Sequence, residues 1–483
     1  MSSIHGGSLQ GEQLSEIAVS LSIFRNGKRL ESPSGEYDLI EFMKGWEISE
    51  SIGAATLEAK FVFEDSAGII GAMTGSEIFK LSISSGVQDR SYFLRSYTIE
   101  ARQRTNQMND MFIVHACSDE FLKNEVVNVF GHSDVIFKNK TESSEIVKTL
   151  LKDKRFIGST KKLFSETTIS KNQFIAPNWR SFDTIYWIAQ RSTRKSKKGG
   201  TIQNGFAFYE NAMGYNFKSI DKMVDDINDQ KYAAVTDTSV GKAKLYTYEY
   251  KPKNIDSSAD RYAIRSVVFP DEKNFLMGLR HGTWSGYSIG FDPNTVSNSK
   301  MGSSTDMNVD AFQYSLSSLW SKMSHLNGTK DINPIKTFDS DIQNMIDYPK
   351  RVRYTALPNQ IFDPKYKNNP QKNYEQLVEL QAYQWMRIES IKTLKLQIVI
   401  PGNLDLYAGH GVNVIIPSTV KSGSQTIVDK KYSGRYLIGK VSHMSTGPTM
   451  TTKLLLMKDT MFTTQNLVQS STSGNSQSTV SSV

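Results

Sequence analysis

The chain has 483 residues and only one cysteine, Cys117. A single cysteine can form neither an internal disulfide nor a cysteine-based zinc site, so packing and hydrogen bonds must hold the fold together. Long apolar runs are also missing, and the first residues, MSSIHGGSLQGEQ, have no basic start followed by an apolar stretch. We therefore expect neither a membrane span nor a secretion signal, and we expect assembly in a reducing compartment.

The sequence also lacks the motifs of common enzyme classes. It has no GxSxG nucleophile turn and no GKS or GKT phosphate loop, and Gly409-His410-Gly411 is a lone Gly-x-Gly that is typical of a turn. Acidic pairs such as Asp225-Asp226 could serve glycoside hydrolysis only in a cleft, which nothing in the sequence predicts. Six of the seven histidines are scattered through the chain after the first residues without metal-ligand spacing: His115, His132, His281, His325, His410 and His443. We expect no catalytic, metal-binding or cofactor-binding residues.

The composition is that of a folded globular protein, with 38% hydrophobic, 11% aromatic and 22% charged residues. The length predicts about three domains. The net charge of +8 is mostly dispersed, and the one dense basic run is RSTRKSKKGG, residues 191–200. This run predicts a solvated loop, with contact to an acidic partner or to passing DNA as the alternative.

Residues 15–118 are predicted to form a first β domain. Every second residue from Ile17 to Ile23 is apolar, which is the period of a strand with one buried face, and Asn26-Gly27 is a hairpin turn signal. The domain ends in a long hairpin with strands near 92–103 and 111–118. Several short strands in succession favour a barrel or a sandwich.

Residues 119–372 are predicted to form a mixed α/β middle domain that carries a long insert. Thr141 is predicted to cap a helix, and the string NWRSFDTIYWIAQRS, residues 178–192, predicts a second helix with Phe182, Ile185, Tyr186 and Ala189 on one face. A short hairpin is predicted at 206–209 and 215–219. From 222 onward the pattern weakens into polar strands and Ser/Asn/Gly-rich patches, which favours an elaborated insert.

Residues 373–462 are predicted to form a helix followed by a second β domain. Apolar residues alternate from Leu394 to Ile400, and a long hairpin follows with strands near 435–444 and 450–457. At the two ends of the chain, a Gly/Ser-rich flexible arm is predicted at 1–14 and a disordered Ser-rich stretch at 463–483.

The two β regions share an order of features. In each, a strand led by glycine is followed by a polar link and a long hairpin: GSEIFKLSIS precedes the first hairpin and GHGVNVIIPS precedes the second. The predicted fold class is therefore a multidomain α+β protein, in which two similar β-barrel-like tube domains flank a mixed α/β middle domain with a long insert. Three such chains would present six quasi-equivalent β units around an axis.

Three strings carry a resemblance to a known family. They are FIAPNWRSFDTIYWIAQRS at 174–192, GFAFYENAMGYNFKSID at 205–221, and GRYLIGKVSHM at 434–444 with its return strand. In this order they resemble the baseplate hub proteins of contractile-tailed bacteriophages, and they are also similar to the hub portion of type VI secretion spike proteins. The resemblance spans residues 15–462 and is weakest between 290 and 372, so the long central stretch and the Ser-rich stretch look like departures.

The resemblance implies a non-enzymatic structural protein of the virion, located in the tail baseplate and assembled in the host cytoplasm. It implies a homotrimer whose pseudo-hexameric ring joins the hexameric tail tube to the trimeric central spike and leaves an axial channel for DNA. The implied partners are the spike protein, tail tube or tube-initiator proteins, tape-measure and baseplate wedge proteins, and DNA only in transit. The alternative function is a tail-associated enzyme that degrades the cell envelope. A DNA-binding tail component is motivated only by the basic composition.

The long hairpins are the parts of the chain that we expect to build the ring. Arg95, Arg102, Lys440 and Lys453 are their candidate lumen or interface residues. Alternation alone does not assign the face to which each of them projects, because a shift of one residue in register reverses every side chain.

Overall fold

The computed structural model of the protein describes residues 17–30, 39–68, 73–85, 89–196, 201–229, 244–250, 262–270, 285–291, 313–315, 319–326, 338–347, 352–356, 368, 370–422, 425–447 and 449–460. The arm predicted at 1–14, the Ser-rich stretch predicted at 463–483 and much of the insert predicted at 222–372 lie outside the described residues.

The strands, in chain order, are β1 (Ala18–Arg25), β2 (Lys28–Arg29), β3 (Met43–Ser51), β4 (Glu58–Asp65), β5 (Ile78–Ser84), β6 (Asp89–Arg104), β7 (Asp110–Cys117), β8 (Asn128–His132), β9 (Leu163–Ser165), β10 (Ile175–Arg180), β11 (Arg194–Lys195), β12 (Ile202–Gln203), β13 (Phe206–Asn211), β14 (Gly214–Ser219), β15 (Thr247–Tyr250), β16 (Ala263–Ile264), β17 (Ser266–Val268), β18 (Ser285–Phe291), β19 (Gln313–Ser315), β20 (Val352–Ala356), β21 (Leu394–Pro401), β22 (Gly411–Ile415), β23 (Pro417–Ser422), β24 (Gln425–Val428), β25 (Gly434–Ser445) and β26 (Met450–Lys458). The helices are α1 (Asp119–Asn124), α2 (Ser133–Ile136), α3 (Ser143–Lys152), α4 (Ser181–Ala189), α5 (Ile220–Asn228), α6 (Ser340–Asp347) and α7 (Pro370–Ile391), and a 3-10 helix spans Leu39–Phe42.

A first β unit forms one half of a 14-stranded sheet, with the strand order β3-β4-β7-β6-β5-β1. All of its strand pairs are antiparallel. β2 folds back on β1 through Asn26 and Gly27, whose φ angles are 50° and 75°. Both are positive, as the Asn-Gly hairpin turn requires, so this local prediction is confirmed.

The first unit curls around its own core. Phe61 on β4 and Phe79 on β5 stack with ring centroids 5.1 Å apart, although two strands lie between β4 and β5 in the sheet. In a flat sheet the two rings would be separated by three strand spacings of about 4.8 Å each. The 3-10 helix packs between β1 and β3, which do not pair with each other in the described residues. The unit is therefore barrel-like and not a closed barrel.

The second β unit has the order β15-β22-β25-β26-β21-β17. β16 and β17 are separated by one residue, and they pair with the two opposite ends of this order, β16 with β15 and β17 with β21. The β15 to β16 pairing has two residue pairs, so this unit is also barrel-like without full closure. The predicted α+β class with two similar β units is confirmed, and strands 247–268 join the second unit although they lie within the range predicted for the middle domain.

The middle domain has an aromatic core. The hairpin β13–β14 pairs with β9, and its Phe208 and Tyr215 stack with ring centroids 5.5 Å apart. Phe182 of α4 packs against both rings. The apolar face predicted for this helix faces the core, since Phe182 is 1% exposed and Ile185 and Ala189 are also buried.

Two local predictions in this domain are wrong. α3 begins at Ser143 with Glu142 at its N-cap, so Thr141 does not cap it. The basic run is not a solvated loop at its start, because Arg194 is buried and its guanidinium lies 2.6 Å from Glu166 and 2.9 Å from Asp225. Residues 197–200 of the run lie outside the described residues.

A buried ionic cluster joins α7 to the middle domain and to the end of β26. Arg387 is fully buried, with Nε 3.2 Å from Asp221 Oδ1 and Nη1 3.0 Å from Asp459 Oδ2. Tyr383 donates to Asp221 at 2.8 Å, and His325 Nδ1 lies 2.9 Å from Asp459 Oδ2. A buried charge is tolerated only when it is paired and hydrogen-bonded. Arg387 is paired with two aspartates and donates hydrogen bonds from Nη1 to Asp459 and from Nη2 to the carbonyl oxygen of Ser324, whereas its Nε makes no hydrogen bond within the described residues.

None of the helices in the described part of the chain combines the length and the apolar character needed to cross a membrane.

Candidate functional site

One face of the continuous sheet can be followed from strand to strand, because directly paired residues project to the same side. A row of six directly paired residues crosses the strands from β6 to β26: Thr98, His115, Lys60, Glu47, Met444 and Thr451. All six side chains are exposed or half-buried. We name this side the open face. The hydrophobic cores of both units fill the other side of the sheet.

Three of the four predicted interface residues, Arg95, Lys440 and Lys453, project to the open face. A second row on the same side of the sheet connects Arg95 to Lys453 through Cys117, Glu58, Ser49 and Ser442, and three of these connecting residues, Cys117, Ser49 and Ser442, are buried. Lys440 is exposed and lies two residues before Ser442 on β25, and Lys453 is half-buried. The structure thus assigns the face that alternation in the sequence left open.

Arg95 and Arg102 are both engaged in ion pairs. Arg95 pairs with Asp119 at the start of α1, and its Nη1 donates to the carbonyl oxygen of Ser76 at 3.1 Å. Arg102 lies at the far end of the hairpin, where its Nη2 is 2.7 Å from Asp110 Oδ2. Hydrogen bonds from Arg102 and Arg104 hold the pKa of Asp110 below its usual range. An interface role for the four basic residues stays a prediction.

The two β units are joined edge to edge by β3 and β25. Six antiparallel residue pairs form this joint, from Lys440 opposite Ser51 to Ser445 opposite Trp46. Ser49 and Ser442 face each other across it with their Oγ atoms 2.9 Å apart. The joint is closely packed, because residues on both strands are buried: Trp46, Ile48, Ser49, Glu50, Ser442, His443 and Ser445.

Glu50 connects the joint to two other parts of the chain through hydrogen bonds. Its Oε1 accepts from the backbone N–H of Ala408 at 2.7 Å, and its Oε2 accepts from that of Ala212 at 2.6 Å. These contacts connect β3 to the strand-joining loop of the second unit and to the turn of the β13–β14 hairpin. Burial raises the pKa of Glu50 to about 7, and the two backbone N–H groups and Arg90 oppose that rise.

Two strand edges of the sheet are uncovered in the described residues. β5 covers one edge of β6 only as far as Arg95, and no described strand lies beside the following segment, 97–104. Every residue of that segment is exposed except Ile99, which is half-buried. The second uncovered edge is that of β17, which pairs only with β21. Next to this edge Val268 and Phe269 are 47% and 42% exposed.

The sequence did not reveal the joint or the uncovered edges. The sequence indicates the joint only weakly. Its indication is the presence of small polar residues, Ser49 and Ser442, inside strands that are otherwise apolar on one face. Which strand covers which edge depends on contacts between residues nearly 400 positions apart, as for these two serines. The described residues contain no group of three or more His, Cys, Asp or Glu that could hold a metal ion.

No protein-family model and no curated protein matches the chain. Among solved structures, it is similar to a tail protein from Neisseria meningitidis MC58, with 10% identity over 91% of this chain and 97% of that one and a TM-score of 0.48. A prophage MuSo2 tail protein from Shewanella oneidensis has 8% identity, with 91% and 98% coverage and a TM-score of 0.45. A chain of the phage P2 baseplate has 10% identity, with 92% and 99% coverage and a TM-score of 0.31.

These three structures are tail and baseplate proteins, the class that the sequence resemblance names. Their identities are 10% or lower and their TM-scores are below 0.5. The argument for function therefore rests on the geometry of this chain.

Proposed function

We propose that the chain is a structural subunit of a phage tail baseplate hub. Three copies would form a pseudo-hexameric ring that joins the hexameric tail tube to the trimeric central spike and leaves an axial channel for DNA. The ring would belong to the virion and assemble in the host cytoplasm. The spike protein and tail tube or tube-initiator proteins would be direct partners, with tape-measure and baseplate wedge proteins nearby.

The observation that carries the proposal is the pairing of two similar β units in one sheet. The sets β5-β6-β7-β4 and β22-β25-β26-β21 have the same spatial order, the same order along the chain and the same antiparallel pairing. Two units per chain give six units in a trimer. Such a ring has threefold symmetry in its chains and near-sixfold symmetry in its units, so it can contact a hexameric ring on one side and a trimer on the other.

The chemistry of the open face suits the wall of a channel. It is largely polar and carries both signs of charge, with Glu47 directly paired to Lys60 and with Lys440 and Lys453 farther along the face. A uniformly basic wall would hold the phosphate backbone through counterion release and would slow DNA in transit. Mixed charge avoids that tight binding while it keeps the wall hydrated.

The proposed role is mechanical and geometric, and it assigns no catalytic residue. The alternative, an enzyme that degrades the cell envelope, predicts turnover of peptidoglycan or peptide by the purified chain. The hub proposal predicts no turnover above that of a buffer control. Measured turnover that is lost on substitution of a specific side chain would favour the alternative.

The ring is tested by native mass spectrometry and electron microscopy of the purified chain. We expect a species of three times the chain mass of 54.3 kDa and images with threefold symmetry around a channel. A monomer alone at micromolar concentration, both in isolation and in assembled tails, would contradict the ring.

The channel and tube-contact role of the open face is tested by reversing its charge. In Lys440→Glu/Lys453→Glu we expect a folded trimer that fails to attach the tail tube, seen as tube-free baseplates by electron microscopy and as a loss of infectivity. The matched control is Lys140→Glu/Lys148→Glu, which reverses two exposed charges in the middle domain. Normal tails from the first variant would contradict the assignment of this face.

A further inference from the structure

The two β units can be aligned residue by residue. β6 has a one-residue bulge at Tyr97 and a second register shift between Glu100 and Gln103, and β25 has a one-residue bulge at Gly439 that we align with Tyr97. The residue before each bulge donates its backbone N–H to the residue that precedes the neighbouring strand. Ser96 donates to the carbonyl oxygen of Glu77, just before β5, at 2.8 Å, and Ile438 donates to that of His410, just before β22, at 2.8 Å. Bulges interrupt a ladder at defined positions, so they fix a register. This alignment makes Glu100 the counterpart of Ser442.

The same alignment relates β17 to β3. With the bulges superposed, Phe61 on β4 corresponds to Ile398 on β21. Trp46 pairs with Phe61 and Val267 pairs with Ile398, so Trp46 and Val267 are counterparts. Three residues farther along, Ser49 corresponds to Pro270, which lies two residues beyond the end of β17 at Val268.

The corresponding strand edges of the two units differ in whether another strand pairs with them. On β25 the segment after the bulge carries β3 on its edge, and Ser442, His443 and Ser445 are buried there. The corresponding segment of β6, 98–104, has no described strand on that edge. In the same way, the outer edge of β3 carries β25, whereas the described residues place no strand on the outer edge of β17.

We propose that β17 and the two residues after it, 266–270, pair with segment 98–104 of β6 in the next copy, in the antiparallel direction that joins β3 to β25 within the chain. The register is set at Glu100, because the second shift in β6, between Glu100 and Gln103, has no counterpart in β25. We call this contact the seam, and the proposal rests on the ring proposed above. An uncovered edge is a template for pairing with another chain, and the exposed Val268 and Phe269 beside it supply apolar surface to bury. The seam is head-to-tail, so three chains close a ring in which all six contacts between units are antiparallel strand pairings, three joints within chains and three seams between them.

The alignment specifies one residue pair at the seam. Within the chain, Ser49 and Ser442 face each other with their Oγ atoms 2.9 Å apart, which is close enough for a disulfide between cysteines at these positions. Their counterparts across the seam are Pro270 of one copy and Glu100 of the next. Cysteines at 100 and 270 should therefore cross-link different chains, while cysteines at 49 and 442 should cross-link a chain to itself.

The experiment uses mild oxidation of the full chain, with Cys117 replaced by alanine, followed by non-reducing electrophoresis. Glu100→Cys/Pro270→Cys should run at three times the chain mass. Ser49→Cys/Ser442→Cys should stay at the mass of one chain and serves as the positive control for the joint. Glu100→Cys/Val428→Cys is the control, since Val428, at 47% exposed, is more accessible than the half-buried Pro270 and lies outside the seam. It should give no trimer band.

Mixing the two single variants tests the head-to-tail direction. Glu100→Cys mixed with Pro270→Cys should give a band at twice the chain mass, and neither variant should give it alone. Dimers from one variant alone would overturn the head-to-tail seam. A native trimer without any cross-link between 100 and 270 would overturn the seam and leave the ring standing. Absence of a native trimer would overturn the ring, and the seam with it.

Discussion

Replacement of Glu50 by glutamine should remove a pH dependence from the stability of the protein. The Glu50 side chain is 4% exposed, and each of its carboxylate oxygens accepts one backbone N–H, from Ala408 at 2.7 Å and from Ala212 at 2.6 Å. Burial raises its pKa from 4.5 to about 7. The group thus lies where three parts of the chain meet, and its protonation in the folded protein occurs near neutral pH.

The sign and the size of the effect follow from this pKa. Because the folded value lies above the unfolded value, the folded state holds the proton more tightly, and the contribution to stability is complete below pH 4.5. It is lost as the pH rises through about 7. A pKa difference of one unit corresponds to about 1.4 kcal/mol, so the free energy of unfolding should fall by about 3 kcal/mol across this window on account of Glu50 alone.

The measurement is the free energy of unfolding from urea titrations at several pH values between 5 and 8, for the natural chain and for Glu50→Gln. Buried His410 and His443, whose pKa values burial lowers to about 3, contribute an opposite slope below pH 6.5, so only the difference between the two proteins reports on Glu50. Glutamine keeps one acceptor oxygen, so one backbone N–H loses its partner at a cost of about 1 to 3 kcal/mol at every pH.

The difference between the two proteins should therefore shrink or reverse as the pH rises. Glu47→Gln, on the same strand but on the open face, is the control and should follow the natural chain. Parallel curves for Glu50→Gln and the natural chain from pH 5 to pH 8 would refute the reasoning.

Two further substitutions test the packing. Gly214 has a φ of 134°, and a Cβ there would lie 2.5 Å from the carbonyl oxygen of Lys162. Gly214→Ala should therefore lower the free energy of unfolding by about 2 to 3 kcal/mol. The control is Gly53→Ala, which should change this free energy by less than about 0.5 kcal/mol because a Cβ at Gly53 meets no close contact. Arg387→Leu leaves two buried aspartates without their cation and should cost about 3 to 5 kcal/mol in the same assay, and Arg155→Leu, which removes an exposed ion pair, should have a far smaller effect.

Much of the local structure could be predicted because it is encoded over short distances. The hairpin predicted with strands near 435–444 and 450–457 is observed as β25 and β26, within a few residues at each end. The alternating apolar residues of β21 are all buried: Leu394, Leu396, Ile398 and Ile400. A period of two residues and a turn signal are sufficient for such elements, since each involves only neighbouring residues.

The rest could not be predicted because it depends on pairing between distant segments. Nothing in the local pattern of residues 247–268 indicates that they join the second unit, where β15 pairs with β22 and β17 with β21. The same holds for the candidate site. The face of Lys440 follows only from the chain of residue pairs that crosses β3 and β25, and a shift of one residue in any of those pairs would reverse it.

The two kinds of contact in the proposed ring differ in strength, and this difference has a consequence for assembly. Six residue pairs form the joint within a chain, whereas β17 offers three residues to the seam. Association of separate chains costs several kcal/mol of translational and rotational freedom, which one short strand pairing offsets poorly. A closed trimer forms three seams but loses translational and rotational freedom in only two association steps. The third seam, which closes the ring, therefore stabilises the trimer without a further association cost. Sedimentation over a range of concentrations should therefore show monomer and trimer with little dimer, and a substantial dimer population would indicate a contact larger than the seam.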